Sequence, residues 1–333
     1  MPLVKPLSPT DANIRRCADL LREGAPVAVP TETVYGLAAD ARNEDAVRRI
    51  FAVKGRPLID PLIVHCANLA ALRECAEAPT ALDRLAEAFW PGPLTVVLPK
   101  KPGIPGLVTA GLPSVAVRIP AHPLFRRLLA AFGGPLAAPS ANPFGYVSPT
   151  RAEHVARTLG KRISAVLDGG ACEHGVESTI LDLRTPEQPR VLRHGPVDAA
   201  MLEAVLGIGV ESAEPRTEAA RKPAIAPGQL SRHYSPRTTI RLFGPGEAPP
   251  PQVDRNVGPA ALLRLRRPPG AEPGDNVFWL AEDGDLSTAA HNLYDLLQRL
   301  DARGYACLYV ERPENTGIGR AINDRLARAA ADS

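Results

Sequence analysis

The sequence predicts an α/β fold built as two unequal units, and three observations carry that expectation. Helical apolar stripes alternate with short apolar runs over residues 1–206. The 36 prolines in 333 residues, about twice the usual ~5% share, fall mostly at the ends of these segments and punctuate them. A polar, proline-rich, aperiodic stretch at 207–238 then separates them from a second alternating unit at 239–333. With 45% hydrophobic residues the chain can build a proper core, and its length suits two domains.

Asp11–Glu23 carries Ile14, Cys17, Leu20 and Leu21 on one helical stripe and stops at Gly24. PVAVP (26–30) is a short buried strand. PTETVYGLAAD (30–40) reads as a strand-to-helix turn. There Thr31, Glu32 and Thr33 would offer hydroxyls and backbone N–H groups to an anion, and Tyr35 and Gly36 a flat face or a close backbone approach. Simple N-capping by threonine is the alternative. Asn43 caps NEDAVRRIFAVK, which has acidic residues in its first turn and ends at Gly55. LIVH (62–65) is a strand, helices follow at 68–77 and 80–90, and LTVVLP (94–99) and SVAVRIP (114–120) are strands. HPLFRRLLAAF is a helix and PLAAPS (135–140) a strand. Thr150 and Glu153 read as a capping box for a helix at 151–159. ISAVLDGG, ESTILDL and RVLRHG give three further strands before a helix near 198–206. In the second unit TIRLFG, AALLRLR, NVFWLAE and ACLYVERP read as strands, and Ser287–Arg303 and Arg320–Ala331 as helices, a small α/β layer.

Several function classes are disfavoured. The net charge of +3 describes neither a nucleic-acid coat nor a membrane patch. The N-terminal stretch has no apolar signal region, and no run approaches a membrane span. Five widely spaced cysteines, never CxxC, argue for a reducing cytosol and against a disulfide framework or zinc knuckle. No Walker loop, HExxH or GxSxG occurs. TGIGRAIN (316–323) has GxG before a helix but lacks the third glycine of a dinucleotide fingerprint, so it reads as a structural turn.

Basic and hydroxyl groups instead gather at element ends. Lys54 and Arg56 flank the turn KGRP; they complement the helix's negative end, or they grip phosphate or carboxylate oxygens. Ser114 and Arg118 share one face of SVAVRIP. Ser140 and Ser148 lie in the loop APSANPFGYVSP, at a strand's carboxyl end. Glu177, Ser178 and Thr179 open one strand, and Arg193 and His194 close another. With no nucleophile–base pair evident, this describes a cavity for a polyanion rather than a hydrolase.

PTETVYGLAADA, KGRPLIDPLIVH, FWPGPLTVVLP, VAVRIP, APSANPFGYVSPT, ESTILDL and LRHG together resemble the YrdC-like family, across nearly all of residues 10–200. APGQLSRHYSP and the tail resemble the linker and the small Rossmann-like accessory domain of its long, two-domain threonylcarbamoyl-AMP synthases. The resemblance implies a twisted open mixed sheet with helices around a concave basic cavity. It implies a catalytic domain at 1–206, a linker closing over the site at 207–238 and an accessory domain at 239–333. The implied enzyme is a cytoplasmic nucleotidyltransferase that joins L-threonine, bicarbonate or CO2, and ATP with Mg2+. Its products are threonylcarbamoyl-adenylate and pyrophosphate, and the adenylate passes to a separate transferase for N6-threonylcarbamoyladenosine in tRNA. No membrane and no stable tRNA binding is implied. By resemblance Thr33, His65, Arg118, Ser178 and the Ala138 backbone contact threonine. Lys54, Arg56, Ser114, Ser140, Ser148 and Arg193 contact ATP, with Lys54 and Arg56 as the catalytic cations. Asp60, where the family often has Asn, faces the ribose or a metal-bound water, and His233 or Tyr234 reaches back over the nucleotide. Two rival readings are an RNA-binding module using the same basic face and a carbamoyl-transfer domain acting on protein. Scattered cations and 5% aromatic residues speak against the first.

Overall fold

The computed structural model describes residues 4–213, 225–228, 233–245, 247, 259–270 and 276–331. The larger unit begins α1 (Asp11–Arg22), β1 (Val27–Val29), β2 (Gly36–Asp40), α2 (Glu44–Lys54), β3 (Ile63–His65), α3 (Leu69–Cys75) and α4 (Ala81–Phe89). It continues β4 (Leu94–Pro99), β5 (Ser114–Arg118), α5 (Pro123–Phe132), β6 (Leu136–Ala137), α6 (Ala152–Leu159) and β7 (Ala165–Val166). It closes with β8 (Thr179–Asp182), β9 (Arg190–Arg193), α7 (Ala199–Leu206) and β10 (Glu211–Ser212). Ten strands form one mixed sheet in the order β10-β9-β8-β4-β5-β3-β6-β2-β1-β7. The smaller unit has β11 (Thr239–Phe243), β12 (Ala260–Arg266), β13 (Val277–Ala281), α8 (Leu286–Asp301), β14 (Cys307–Glu311) and α9 (Gly319–Ala330). Its four strands are all parallel, in the order β11-β14-β12-β13.

Local chemistry explains most boundaries. Asn43 Oδ1 accepts from the N–H groups of Asp45 and Ala46, and Gly55, at φ 64°, ends α2 in the left-handed region. Elsewhere the fold departs from the expected elements. PTETVYG does not lead into a helix: it joins β1 to an antiparallel β2. Thr31 Oγ1 accepts from the N–H groups of Thr33 and Val34 and turns the chain back, and β2 pairs on its other edge with β6. Tyr35 accordingly lies in the core, its hydroxyl donating to Gly170 O at 2.8 Å, not at a ligand face. The capping box also fails. Arg151, not Thr150, precedes α6, no side chain caps it, and the Thr150 hydroxyl is buried without a partner. β10 adds a short strand where only linker was expected.

Helices α1 and α5 pack on one face of the sheet, over Val27, Val29, Ala38 and Leu136. The main core lies under α2, α3, α4, α6 and α7. One patch, Ile63, Val97, Ala116 and Ile180, packs instead against Ala226 of the connecting segment. The smaller unit packs against the larger: Val34, Val147 and Val176 share an apolar cluster with Tyr234, Leu293, Tyr294 and Leu297. At that contact buried Glu177 accepts from Tyr294 Oη (3.0 Å) and Arg325 Nε (2.8 Å). Among the described residues no helix is long and apolar enough to cross a membrane. The five cysteines are buried and free.

Candidate active site

Parallel pairing of β3 and β5 sets His65 directly beside Arg118. Arg118 is held on three sides. Its Nε donates to Gly92 O (3.1 Å), Nη1 donates to Thr33 Oγ1 (3.0 Å), and Nη2 lies 2.7 Å from Glu32 Oε1. Burial, the largest influence, would raise the Glu32 pKa, but the Arg118 charge together with hydrogen bonds from the Ala121 N–H and Arg118 outweighs it, and the carboxyl sits below its ordinary value. Burial, then the Arg118 charge, pushes the His65 imidazole down to about 3, so it is neutral. Its Nδ1 is buried without a partner and its ring rests 5.3 Å from that of Phe125.

The other cations arrive from the turn after α2 and from the end of β9. Arg56 pairs with Asp60 Oδ2 at 2.8 Å and donates to the carbonyls of Asp60 and Pro61. Arg193 donates from Nε to Ser178 O and from Nη2 to Ser178 Oγ, each at 3.1 Å, and from Nη1 to Pro227 O at 3.4 Å. Lys54 Nζ donates to Ser140 O and Asn142 O, both at 2.6 Å; burial, then the Arg56 charge, holds its pKa well below the usual ammonium value. Three lysine and arginine pKa values are thus depressed in one region. Burial is the first cause of each, and a buried cation gains from an incoming anion.

Thr33, Arg56, His65, Arg118, Ala138, Ser140, Ser178, Arg193, His233 and Tyr234 all line one cavity. Four other sequence-predicted residues lie outside that lining. Lys54 is turned onto the Ser140 loop, and Asp60 is fully buried against Arg56. Ser148 Oγ donates to Glu177 Oε1 at 2.6 Å. Ser114 stands at the far end of β5, its hydroxyl buried without a partner. The Ala138 N–H is taken by Ile63 O, which leaves its carbonyl for any ligand. Sequence reasoning missed Glu32 as the partner of Arg118 and Glu177 as the anchor of the smaller unit; each faces an arginine far away in the chain. Carboxylates among apolar residues in TETVYG and GVEST were the available signal.

The cavity is narrow, with about 40 Å3 free, room for a few waters. The connecting segment contributes Pro227, Gly228, His233 and Tyr234 to its lining. Tyr234, at φ 63°, stacks on Tyr294 (5.8 Å) beneath the guanidinium of Arg325 (5.2 Å). Gly228, at φ 77°, is required there: a Cβ would lie 2.6 Å from Tyr234 Oη. His233 stands edge-on to Phe144 and Tyr234. Burial, then the charges of Arg56, Lys54 and Arg193, keeps it neutral.

Two family models match the chain. One, described as telomere recombination, covers residues 19–195; the other, described as the C-terminal domain of threonylcarbamoyl-AMP synthase, covers 197–331. The threonylcarbamoyl-AMP synthase of Bacillus subtilis (strain 168) is 41% identical over 337 residues, which span 97% of this chain and 94% of that protein. The crystal structure of Pyrococcus abyssi Sua5 complexed with L-threonine is similar at TM-score 0.87 and 37% identity, covering 99% of this chain and 98% of that one. A variant of the same Pyrococcus protein, with an adjacent histidine and tyrosine changed to alanine, matches at TM-score 0.86 and 36% identity, over 98% of this chain and 96% of that one.

Proposed function

Since the chain belongs to the threonylcarbamoyl-AMP synthase family, enzymes of nucleotidyltransferase type, we propose that it condenses L-threonine, bicarbonate or CO2, and ATP. The products are threonylcarbamoyl-adenylate and pyrophosphate. The adenylate then passes to a separate transferase that modifies tRNA, with no stable tRNA complex formed here. The enzyme is cytoplasmic. Residues 1–206 carry the chemistry, 207–238 close the site and 239–333 brace it.

The observation that carries this reading is the convergence of Arg56, Arg118 and Arg193 with His65 and Ser178 on one cavity. Arg118 takes the threonine carboxylate, supported by Thr33, Ser178 and the Ala138 carbonyl. Neutral His65 offers Nδ1 to the threonine hydroxyl or amine, which an imidazolium would repel. The amine, having given up a proton to solvent base, attacks the carbon of CO2. The new C–N bond leaves an N-carboxylate after loss of a second amine proton. A carboxylate oxygen then attacks the α-phosphorus, and the bond to the bridging oxygen of pyrophosphate breaks. Two anions must meet in line, so catalysis reduces to positioning and charge neutralisation. Arg56 and Arg193, with Lys54 behind them, supply the charge on the nucleotide side, where Ser140 lines the cavity and Ser148 and Ser114 lie outside its lining. Asp60 is held by Arg56 and Glu177 by Arg325, so neither carboxylate is free for a metal. Mg2+ therefore enters with ATP as part of the substrate, on phosphate oxygens and water. His233 and Tyr234 must withdraw to admit the nucleotide and return to exclude water.

Threonine-dependent exchange of pyrophosphate into ATP, in bicarbonate buffer, tests the reading. Exchange that needs both threonine and bicarbonate supports it. Absence of exchange, with steep salt-dependent RNA affinity instead, replaces it by the RNA-binding alternative.

A further inference from the structure

Arg193 has a second face. Behind it lies a cleft of about 910 Å3 between the two units, walled by β9 and Ser212 on one side and by the loop after β14 and helix α9 on the other. That volume suits a small-molecule ligand. Four arginines border it, Arg193, Arg312, Arg320 and Arg328, against the carboxylates of Glu314 and Asp324. Asp324 is already bound by Arg325 and Arg328. Arg312 and Arg320 are exposed and have no carboxylate partner among the described residues.

Position in the fold adds to the charge. Pro245 and Arg312 follow the carboxyl ends of β11 and β14, where open parallel sheets hold their ligands. The twelve-residue helix α9 starts at this edge; the N–H groups of Gly319, Arg320 and Ala321 are taken by the Thr316, Gly317 and Ile318 carbonyls, so the helix contributes the positive end of its dipole rather than free donors. Asn323 Oδ1, within the cleft lining, is buried without a partner and is left as an acceptor for a hydroxyl or amino group. The TGIGRAIN turn, which the catalytic cavity does not use, forms this rim.

We propose that the cleft is a second ligand site, for a small compound carrying a di- or triphosphate, and that α9 couples its occupancy to closure of the catalytic cavity. The far half of α9 carries both links. Arg325 Nε donates to Glu177, and the Arg328 carbonyl accepts from the His233 N–H at 3.4 Å. A ligand that prefers one setting of α9 shifts the closed fraction by its differential affinity.

The test uses the full chain and the double variant Arg312→Glu/Arg320→Glu, whose two exposed residues lie outside the catalytic cavity. Equilibrium dialysis against labelled inorganic pyrophosphate should give two bound equivalents in the wild type and one in the variant. A parallel arm with ADP tells a nucleotide from the free anion. Hydrogen exchange across 319–330 and 233–235 should change as the second equivalent fills in the wild type and stay unchanged in the variant. Equal stoichiometry in both proteins overturns the site, and unaltered exchange on filling overturns the coupling. Binding that depends on Arg312 and Arg320 for an RNA oligonucleotide but not for pyrophosphate or ADP overturns the ligand class. Failure of the catalytic reading looks different: the wild type would bind one equivalent, and the variant would lose it.

Discussion

Arg118 shows how much of a binding residue's behaviour is set by what stands behind it. Glu32, Thr33 and Gly92 fix the guanidinium plane, so a carboxylate meets a fork already oriented. Arg118→Ala should raise the threonine KM by roughly 10- to 100-fold, the worth of charge-assisted hydrogen bonds. It also strands buried Glu32, which costs about 3–5 kcal/mol. The double variant Glu32→Gln/Arg118→Ala should recover that stability in denaturant unfolding without recovering threonine affinity; unchanged affinity in either variant would remove Arg118 from the site. Acid provides a second residue-scale prediction. His65, pushed down to about 3, and His233, also depressed, stay neutral in the folded chain while the unfolded chain protonates near its ordinary value of about 6.5. The unfolded state therefore binds more protons, and stability should fall as pH drops below about 6.5, by up to about 1.4 kcal/mol per pH unit for each histidine. His65→Leu should reduce that slope by about one proton, read from unfolding midpoints at about pH 5 to 6.5. That Arg56, Arg118 and Arg193 gather was legible in the sequence, because each sits at an element end; Lys54, read the same way, turns onto the Ser140 loop instead. Their partners were not: Glu32 and Glu177 meet their arginines only through sheet register and the packing of the two units.

Helices and strands followed local chemistry where caps and glycines decide, and departed from it where pairing decides. GLAAD is poor in β-branched residues and reads as helix, yet pairing with β1 and β6 on both edges makes it a strand. The T-x-x-E pattern at 150–153 failed because α6 begins one residue later than the motif requires. α9 was legible as an amphipathic helix, but its inward arginine was not, since Arg325 is fully buried on an otherwise apolar face. Arg325→Ala should lower unfolding stability by about 3–5 kcal/mol, because Glu177 keeps its charge without a partner. Adding Glu177→Gln should return most of that loss in the same denaturant titration; an unaffected single variant would show that the ion pair does not hold the units together.

At the scale of the whole molecule, Pro227, Gly228, His233 and Tyr234 of the connecting segment stand beside the arginines in one cavity lining. Closure depends on Gly228, so Gly228→Ala should lower kcat by roughly 5- to 160-fold, the range of about 1–3 kcal/mol of strain, with a smaller effect on threonine KM in steady-state assays. Deleting 208–333 should impair turnover too, because it removes the cover, unpairs Glu177 and exposes Val34, Val147 and Val176; full activity in the shortened chain would leave the cover without a role. That positive groups far apart in the chain serve one pair of like-charged reactants is most directly tested by a crystal structure with threonine and a non-hydrolysable ATP analogue. One shared pocket predicts the threonine carboxylate on Arg118 and the phosphates on Arg56 and Arg193, with His233 and Tyr234 shifted from their present places and returned over the nucleotide. Threonine and nucleotide found on separate surfaces would contradict it.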